Sequence, residues 1–311
     1  MEAVVVSLSV ELALPPDEAL ARMLDELSLA GTALEGADLK LEPADGGTLV
    51  RFELGLDSEQ IGDSGGELAG WFVSQAMAPL LLAAGPEAFG DWVTDRRARR
   101  PSGPQARETY ADPLFHWPNF RAILHELALA PDDRLLEVGC GGGAFLHEAL
   151  KSGCTAAAID HSPDMVRLAR EQNAEAIDAG RLEIVEGDAA SLPYADETFT
   201  AAVMTGVLGF LPDPVAAFVE IRRVLAPGGR MIALGADPAL KGTPAAPEPM
   251  ASRLRFYADE EHERIGREAG LDEVRVERIP LGEFAREAGV PEEHLPLFEG
   301  PGTPFLLARR Y

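Results

Sequence analysis

The stretch Leu135-Leu136-Glu137-Val138-Gly139-Cys140-Gly141-Gly142-Gly143 decides the fold of this chain. Residues 135–138 form a short, mostly apolar run, which is typical of a strand buried on both faces of a parallel sheet. Glycines follow at once, and glycine permits positive φ angles and a close approach of the backbone to a ligand. A helix that begins behind such a turn leaves backbone N–H groups unpaired, which favours a carboxylate or phosphate. The stretch therefore predicts a strand, a ligand-binding turn and a helix.

Apolar runs of strand and helix length alternate on the carboxyl-terminal side of this stretch, which predicts a doubly wound α/β domain. Ser162-Pro163 and Asp213-Pro214 each place a capping side chain before a proline, which marks the start of a helix. The predicted helices are 119–129, 143–151, 163–179, 214–225 and 256–269, and the predicted strands are 134–138, 155–160, 182–186, 199–205, 229–235, 272–279 and 303–310. We therefore expect a Rossmann-like, mostly parallel sheet of seven strands.

The first 95 residues have a different pattern, which predicts a small α+β domain over 1–95. Strand-like alternation covers 2–13, 38–42 and 48–56, and helical spacing follows Pro15-Pro16 and covers 67–93. This order of elements resembles a shortened START-like helix-grip module. Because a full module has more strands, we expect this domain to serve dimerisation or to cover the substrate, and not to hold a complete ligand cavity.

The segment 96–118 has the composition of a linker between the two domains. It begins with clustered arginines, proline and glycine, and it continues into the aromatic stretch Tyr110–Phe120. A purely polar tether does not need these aromatic residues. We therefore expect 96–118 to act as linker and as a lid over a cofactor, and 119–311 to form the α/β domain.

The charge and length of the chain exclude several classes of protein. Its 311 residues include 52 acidic and 27 basic ones, and the net charge of −25 disfavours nucleic acid and anionic membranes as partners. The longest mostly apolar run, 71–85, is shorter than the roughly 18–20 residues that a membrane span needs. With two cysteines and no metal-ligand spacing, we expect no metal site. No basic residues flank the amino terminus as in a secretory signal, so we expect a cytoplasmic location.

Acidic residues at the ends of two further strands indicate an adenosine ligand. Asp160 ends the second strand of the domain, where a carboxylate is placed to accept both hydroxyls of a ribose. Asp188 follows the third strand, where it can accept a hydrogen bond from an adenine amine. The glycine turn also satisfies the G-x-G-x-x-G/A pattern of dinucleotide-binding proteins, so a nicotinamide-dependent oxidoreductase is one alternative. Glu137, directly before the glycines, favours the ammonium group of S-adenosylmethionine over a pyrophosphate.

Over residues 115–311, approximately, the chain resembles the class I S-adenosylmethionine-dependent methyltransferases. The resemblance rests on the E-x-G-x-G-x-G motif, Asp160, Gly187-Asp188-Ala189 and Pro227-Gly228-Gly229-Arg230. It implies that the acid and glycines of the motif hold the methionine end, that Asp160 holds the ribose, and that Asp188 with Ala189 holds the adenine. Met165 would pack on the adenine or, alternatively, in the core. The cofactor-binding residues expected on this basis are Tyr110, Glu137, Gly139, Gly141, Gly143, Asp160, His161, Met165, Asp188, Ala189, Thr205 and Gly206.

The resemblance implies transfer of a methyl group to an O or N atom of a small, fairly apolar acceptor in specialised metabolism, with S-adenosylhomocysteine as product. The sulfonium already carries an activated methyl group, so alignment of the reactants supplies much of the rate. If a base is needed, His116 in the aromatic lid is the first candidate. We expect the other histidines outside the ribose loop, His125, His147, His262 and His294, to be structural or solvated.

Three segments outside the predicted sheet, 206–211, 242–249 and 281–298, are apolar or rich in proline, and we expect them to form walls of the acceptor pocket. A homodimer is a further expectation, through residues 1–95. One alternative remains beside the oxidoreductase: a scaffold that binds the cofactor without catalysing a reaction.

Overall fold

A computed structural model describes residues 3–12, 37–44, 47–57, 91, 94–243 and 245–311 of the chain. The chain divides into two compact units, Met1–Arg96 and Arg97–Tyr311. Almost all of the segment 96–118, predicted as a linker, lies in the second unit.

The first unit contains a three-stranded antiparallel sheet in the order β1-β3-β2. Its strands are β1 (Ala3–Leu12), β2 (Ala37–Ala44) and β3 (Gly47–Asp57). The register of β1 and β3 runs from Ala3 opposite Asp57 to Leu12 opposite Thr48. The three predicted strands are confirmed; the predicted helices after Pro15 and over 67–93 lie outside the described residues, and the START-like resemblance stays a prediction.

The second unit alternates strands and helices as the sequence predicts. Its strands are β4 (Arg134–Val138), β5 (Thr155–Asp160), β6 (Leu182–Glu186), β7 (Phe199–Thr205), β8 (Leu225–Leu234), β9 (Asp272–Ile279) and β10 (Thr303–Arg309). Its α-helices are α1 (Pro104–Ala111), α2 (Trp117–Leu127), α3 (Ala144–Ala149), α4 (Pro163–Gln172), α5 (Ala174–Asp178), α6 (Pro214–Val224), α7 (Asp259–Glu268) and α8 (Gly282–Glu287). Short 3₁₀ turns occur at Leu150–Ser152, Leu208–Phe210, Pro238–Leu240, Met250–Ser252 and Glu292–Phe298.

The seven strands of the second unit form one sheet in the order β6-β5-β4-β7-β8-β10-β9. Its neighbouring strands are parallel except where β10 runs antiparallel to β8 and β9. The chain moves outward from β4 through β5 to β6 and then returns to β7 on the other side of β4. Ligands bind at such a reversal, at the carboxyl ends of the strands. The predicted doubly wound Rossmann-like sheet is confirmed.

Both faces of the sheet are covered by apolar side chains, which explains the uninterrupted apolar run of β4. Leu135 belongs to the core cluster on one face, with Ile123 and Phe145, and its neighbour Leu136 belongs to the cluster on the other face, with Phe218. Successive strand residues point to opposite faces, so an apolar residue is needed at each position.

Two predicted helix starts are confirmed, but one predicted helix is divided. The Ser162 side chain accepts a hydrogen bond from the Met165 N–H (3.3 Å), and the Asp213 side chain accepts one from the Ala216 N–H (3.1 Å). The predicted helix 163–179 is interrupted at Asn173, whose amide nitrogen donates to carbonyl oxygens of Gly143 (3.1 Å) and Ala169 (3.0 Å). The Asn173 side chain thus joins the end of α4 to the glycine turn.

The segment predicted as a linker is helical over α1 and is attached to α4 by hydrogen bonds. The Ser162 hydroxyl donates to the Pro101 carbonyl, and the Gly103 N–H donates to the Asp164 carboxylate (2.7 Å). At the other end of α1, the Gln172 amide donates to the Ala111 carbonyl (2.8 Å). The segment thus contains a helix over 104–111 that the sequence analysis does not predict.

An ion pair fixes the amino ends of the central strands. Arg230 donates to both carboxylate oxygens of Asp133 (3.0 and 2.8 Å), and this guanidinium holds the pKa of Asp133 well below its usual value. Thr200, the second residue of β7, belongs to the same network. Its hydroxyl donates to Asp133 (2.6 Å) and accepts from the Arg134 N–H (2.9 Å). Thr200 is therefore part of a structural network.

Candidate cofactor and acceptor site

The glycine turn lies between β4 and α3, at the carboxyl edge of the sheet. The backbone of Gly139 has φ +79°, and a Cβ there would lie 2.1 Å from a methyl carbon of Val207. A Cβ at Gly142 would lie 2.3 Å from the carbonyl oxygen of Tyr110. The Gly139 N–H donates to the Ile159 carbonyl (2.8 Å), which ties the turn to β5. These close approaches explain why the turn contains glycines.

Glu137 lies in β4 directly below the turn and is 2% exposed. Within the part of the chain that the structure describes, its Oε2 atom has no hydrogen-bond partner. Burial and the nearby charge of Asp160 raise the pKa of Glu137 well above its usual value. A buried carboxylate without a donor is unfavourable, and a cationic or N–H-bearing ligand would remove that cost. Glu137 therefore fits an ammonium group.

Asp160 ends β5 and is held rigidly beside the turn. One carboxylate oxygen accepts from the Gly141 N–H (2.9 Å) and the other from the Ser162 N–H (2.8 Å). Each oxygen has a further lone pair, so the carboxylate retains the capacity to accept two hydroxyl groups. Burial raises the pKa of Asp160. Its geometry fits the vicinal hydroxyls of a ribose.

The expected adenine residues follow β5 and β6. Asp188 is exposed and accepts from the Ala190 N–H (2.8 Å), and Ala189 beside it is buried. His161 is exposed, and its Nε2 atom contacts the Arg99 carbonyl oxygen. Met165 is fully buried in a small cluster with Ala106 of α1 and Leu168 of α4. These surroundings match the second of the two roles expected for Met165, which is packing in the core.

Thr205 and Gly206 lie at the carboxyl end of β7, next to β4 in the sheet. Gly206 has φ +69° and is exposed. No heavy atom of the described chain lies within 4 Å of the position of a Cβ at Gly206. The tip of β7 therefore offers accessible backbone beside the glycine turn, where the methionine end was expected.

The aromatic stretch Tyr110–Phe120, which the sequence predicts to be a lid, contacts the glycine turn through Tyr110. A Cβ at Gly141 would lie 3.0 Å from the ring of Tyr110. Burial, with the nearby charge of Asp160, raises the pKa of Tyr110 to about 12. His116 follows at the start of α2, with its ring centroid 6.4 Å from that of Tyr110 and 6.0 Å from that of Phe120. Part of His116 is exposed, yet the surrounding protein desolvates the ring and lowers the pKa of its imidazole.

Part of the predicted acceptor wall 281–298 belongs to the core. Leu281 is buried, and Phe284 and Phe298 pack against the same cluster as Phe145. His294, in the 3₁₀ turn of this segment, contacts the ring of Phe115 from the lid at a centroid distance of 5.3 Å. The aromatic stretch Tyr110–Phe120 and the segment 281–298 therefore meet through aromatic side chains.

His262 was expected to be structural or solvated, and its surroundings are unlike those of the other histidines. It is 1% exposed, whereas His125 and His147 are exposed and His294 is half-buried. The signal in the sequence was the spacing of His262, Ile265 and Gly266, which places all three on one face of α7, the buried one. The acidic residues around His262 in the sequence obscured that signal.

Two kinds of structural feature are missing from the described residues. They contain no group of three or more His, Cys, Asp or Glu side chains that could hold a metal ion. No helix in the described part is long and apolar enough to cross a membrane. Cys140 and Cys154 are buried free thiols, and burial raises the pKa of each.

Comparison with protein families supports the interpretation of the glycine turn and its neighbours. Residues 136–233 match a family model described as a methyltransferase domain. A demethylmenaquinone methyltransferase of Corynebacterium kroppenstedtii is 34% identical over 111 residues, which cover 36% of this chain and 45% of that one. Cycloartenol-C-24-methyltransferase 1 of Oryza sativa is 33% identical over 104 residues, covering 33% of this chain and 30% of that one. The chain thus spans less than half of either relative.

Solved structures show the same fold. The methyltransferase in a complex with the Trm112 activator of Haloferax volcanii superposes with a TM-score of 0.53 at 21% identity, covering 66% of this chain and 96% of that one. A SAM-dependent methyltransferase from Aquifex aeolicus superposes with a TM-score of 0.51 at 19% identity, covering 68% and 100%. The fold and the glycine turn together define a Rossmann-like methyltransferase domain. Residues 136–233 match a methyltransferase domain, and the second unit has the fold of S-adenosylmethionine-dependent methyltransferases.

Proposed function

We propose that the chain transfers a methyl group from S-adenosylmethionine to an O or N atom of a small, fairly apolar acceptor, in specialised metabolism. The observation that carries this proposal is the buried, unpartnered carboxylate oxygen of Glu137 beside the glycine turn. An ammonium group satisfies that oxygen, whereas the pyrophosphate of a dinucleotide would be repelled by it. The oxidoreductase alternative is therefore disfavoured.

The residues around the turn fit each part of the cofactor, which supplies an activated methyl group when bound. Glu137 would hold the ammonium group, Asp160 the ribose hydroxyls and Asp188 the adenine amine. The carboxylate of Asp160 is already oriented by two backbone N–H groups, so binding does not have to order it. Tyr110, lying against Gly141, would exclude water from the methionine end.

The surface next to the lid supports an apolar acceptor. Phe115 of the lid and Leu297 of the 3₁₀ turn Glu292–Phe298 are 48% and 52% exposed. The relatives' names, demethylmenaquinone and cycloartenol methyltransferase, agree with a small-molecule acceptor. Catalysis would come mainly from alignment of the acceptor with the methyl group and from exclusion of water. If a base is needed, His116 would accept the proton, because its imidazole is neutral at pH 7.

Calorimetry with S-adenosylhomocysteine and with NAD tests this proposal. We expect the wild-type chain to bind S-adenosylhomocysteine and not NAD. Glu137→Gln should weaken this binding by about 2 kcal/mol, the scale of a charged hydrogen bond. Glu126→Gln, an exposed change on α2, should leave it unchanged. Binding of NAD in preference to S-adenosylhomocysteine would contradict the proposal.

Turnover is tested separately, by release of S-adenosylhomocysteine across a panel of small acceptors. A chain that binds the cofactor but methylates no acceptor would support the scaffold alternative.

Residues 1–95 are proposed to serve dimerisation or to cover the acceptor. A fragment comprising residues 97–311 should therefore retain binding of S-adenosylhomocysteine and lose turnover or self-association. Full activity and an unchanged oligomeric state in that fragment would refute this role.

A further inference from the structure

Tyr257 and His262 form a buried polar pair outside the cofactor site. Their ring centroids are 5.5 Å apart, and the two residues are 8% and 1% exposed. Considering the described chain alone, the Tyr257 hydroxyl and both ring nitrogens of His262 are buried without a hydrogen-bond partner. Three unpaired polar atoms in one place are unusual, because buried polar groups in native proteins nearly always have partners.

The pair lies at the carboxyl end of β8, beside the edge of the sheet where methyl transfer is proposed. A Cβ at Gly235, the residue after β8, would lie 2.2 Å from Nε2 of His262 and 3.0 Å from Leu208. Leu234 pairs with Thr205, so Gly235 is a neighbour of the β7 tip. Gly235 itself is half-buried. The imidazole therefore packs against backbone next to the expected methyl group, and only glycine leaves room for it.

The packing around the pair favours ligand recognition over a role in stability. A side chain kept for stability would have its polar atoms satisfied, as the Asp133 carboxylate does with Arg230, Thr200 and the Ala130 N–H. Leu208 and the backbone of Gly235 border the imidazole without offering it a hydrogen bond. The three atoms are therefore arranged to receive a polar group from a molecule that is otherwise apolar.

The charges near the pair indicate which polar group fits. Asp237 after β8, Asp259 and Glu261 of α7, and Arg278 of β9 all act on His262. The Arg278 guanidinium forms ion pairs with the carboxylates of Asp237 (2.7 Å) and Asp259 (2.8 Å). Three acidic side chains and one basic side chain thus surround His262, which leaves an excess of negative charge. Burial nevertheless lowers the pKa of His262, which leaves a neutral ring. An anionic group would be repelled here, whereas a neutral hydroxyl both donates to a ring nitrogen and accepts from a phenol.

We propose that Tyr257 and His262 bind the hydroxyl group of a neutral, apolar methyl acceptor, and so determine which acceptors the domain takes. This inference rests on the proposed methyl transfer, since it assigns the acceptor side of the same site. The hydroxyl donates to one ring nitrogen of His262 and accepts a hydrogen bond from the Tyr257 hydroxyl. An acceptor in which a carboxylate replaces the hydroxyl is rejected.

We test the assignment by NMR and calorimetry on the full-length protein, with its histidines isotopically labelled and with S-adenosylhomocysteine present and absent. The probes are 2-naphthol and its carboxylate counterpart, 2-naphthoate. We expect 2-naphthol to shift the His262 ring nitrogen signals, which are identified by their loss in His262→Phe. We expect 2-naphthoate to bind at least tenfold more weakly than 2-naphthol.

The variants separate ligand recognition from a structural role. His262→Phe and Tyr257→Phe should each weaken 2-naphthol binding at least fivefold, with S-adenosylhomocysteine affinity unchanged and thermal midpoints equal to or above wild type. Gly235→Ala, which must displace the ring, should also weaken 2-naphthol binding. His147→Phe, at an exposed position of α3, is the matched control and should change neither property.

Unmoved His262 signals with 2-naphthol would overturn the assignment. So would unaltered 2-naphthol binding in His262→Phe, or a lowered thermal midpoint in that variant without loss of binding. Failure of the wild-type chain to bind S-adenosylhomocysteine would instead contradict the proposed methyl transfer. The shift of the His262 signals by 2-naphthol is also measured without S-adenosylhomocysteine, so the test of the Tyr257–His262 pair does not depend on cofactor binding.

Discussion

Replacing Asp160 by alanine tests the cofactor site most directly. The carboxylate accepts from the N–H groups of Gly141 (2.9 Å) and Ser162 (2.8 Å), so Asp160→Ala leaves two buried donors unpaired. Each hydrogen bond to a charged group contributes about 1.5–3 kcal/mol. Burial of the carboxylate near Glu137 is itself unfavourable and offsets part of this. We therefore expect the free energy of unfolding to fall by about 2 kcal/mol.

Cofactor binding should weaken as well, because the ribose hydroxyls lose their acceptor. A loss of about 1–3 kcal/mol corresponds to a dissociation constant for S-adenosylhomocysteine that is roughly 5- to 150-fold higher. Asp160→Asn keeps one acceptor oxygen but turns an amide N–H₂ toward a backbone donor. Its stability and its affinity for S-adenosylhomocysteine should therefore lie between those of wild type and of Asp160→Ala. Urea unfolding measures the first effect and titration calorimetry the second.

Asp178→Ala provides the control, because Asp178 is exposed on α5, away from the turn. It should change neither stability nor affinity. An Asp160→Ala variant with wild-type affinity for S-adenosylhomocysteine would refute the assignment of the ribose. Wild-type stability in the same variant would contradict the hydrogen bonds to Gly141 and Ser162.

Three further predictions concern the turn and the sheet. The pKa of Glu137 is raised by burial and by Asp160, so protonation on lowering the pH should weaken binding of the ammonium group, with a midpoint above the usual carboxyl pKa; calorimetry across pH should show this dependence in wild type and not in Glu137→Gln. Gly139→Ala should destabilise the fold, because the new Cβ meets Val207 and the φ of +79° strains alanine, and Val207→Ala should recover the steric part in a double mutant measured by thermal unfolding. Arg230→Met should lower the free energy of unfolding by about 2 kcal/mol at pH 7, because the largely buried Asp133 carboxylate loses its only ion-pair partner among the described residues and keeps only the neutral donors Thr200 and Ala130. Since Arg230 depresses the pKa of Asp133 in the folded state, its contribution is present above the unfolded-state pKa of about 4 and is lost at lower pH, so urea titrations should show a smaller effect of the variant at pH 3.

The glycine turn and the order of strands were predictable because local physics determines them. An apolar run followed by glycines reports burial on two faces and positive φ angles, as at Leu135, Leu136 and Gly139. A capping side chain before proline marks a helix start through hydrogen bonds that stay within one turn, as at Ser162 and Asp213. Each signal lies within a few residues of the feature it predicts.

The interruption of the helix at Asn173 and the helix over 104–111 were not predictable in the same way. Asn173 ends α4 by donating to the Gly143 carbonyl, which is distant in sequence. The Pro101–Ala111 segment is attached to Asp164 and Gln172 of α4, although its composition is typical of a linker. In both cases a hydrogen bond to a remote segment decided the local conformation.

The sequence by itself determined the Rossmann-like sheet, the glycine turn and the acids Glu137 and Asp160 at its edge, since periodicity, capping and backbone freedom are local properties. Only the tertiary structure decided which of these polar groups lose contact with water. Oε2 of Glu137 is unpartnered among the described residues, and His262 packs against Gly235, although its neighbours in sequence are acidic. Burial depends on which distant segments pack over a side chain; a local pattern such as the spacing of His262, Ile265 and Gly266 marks a buried face but does not show whether its polar atoms find partners.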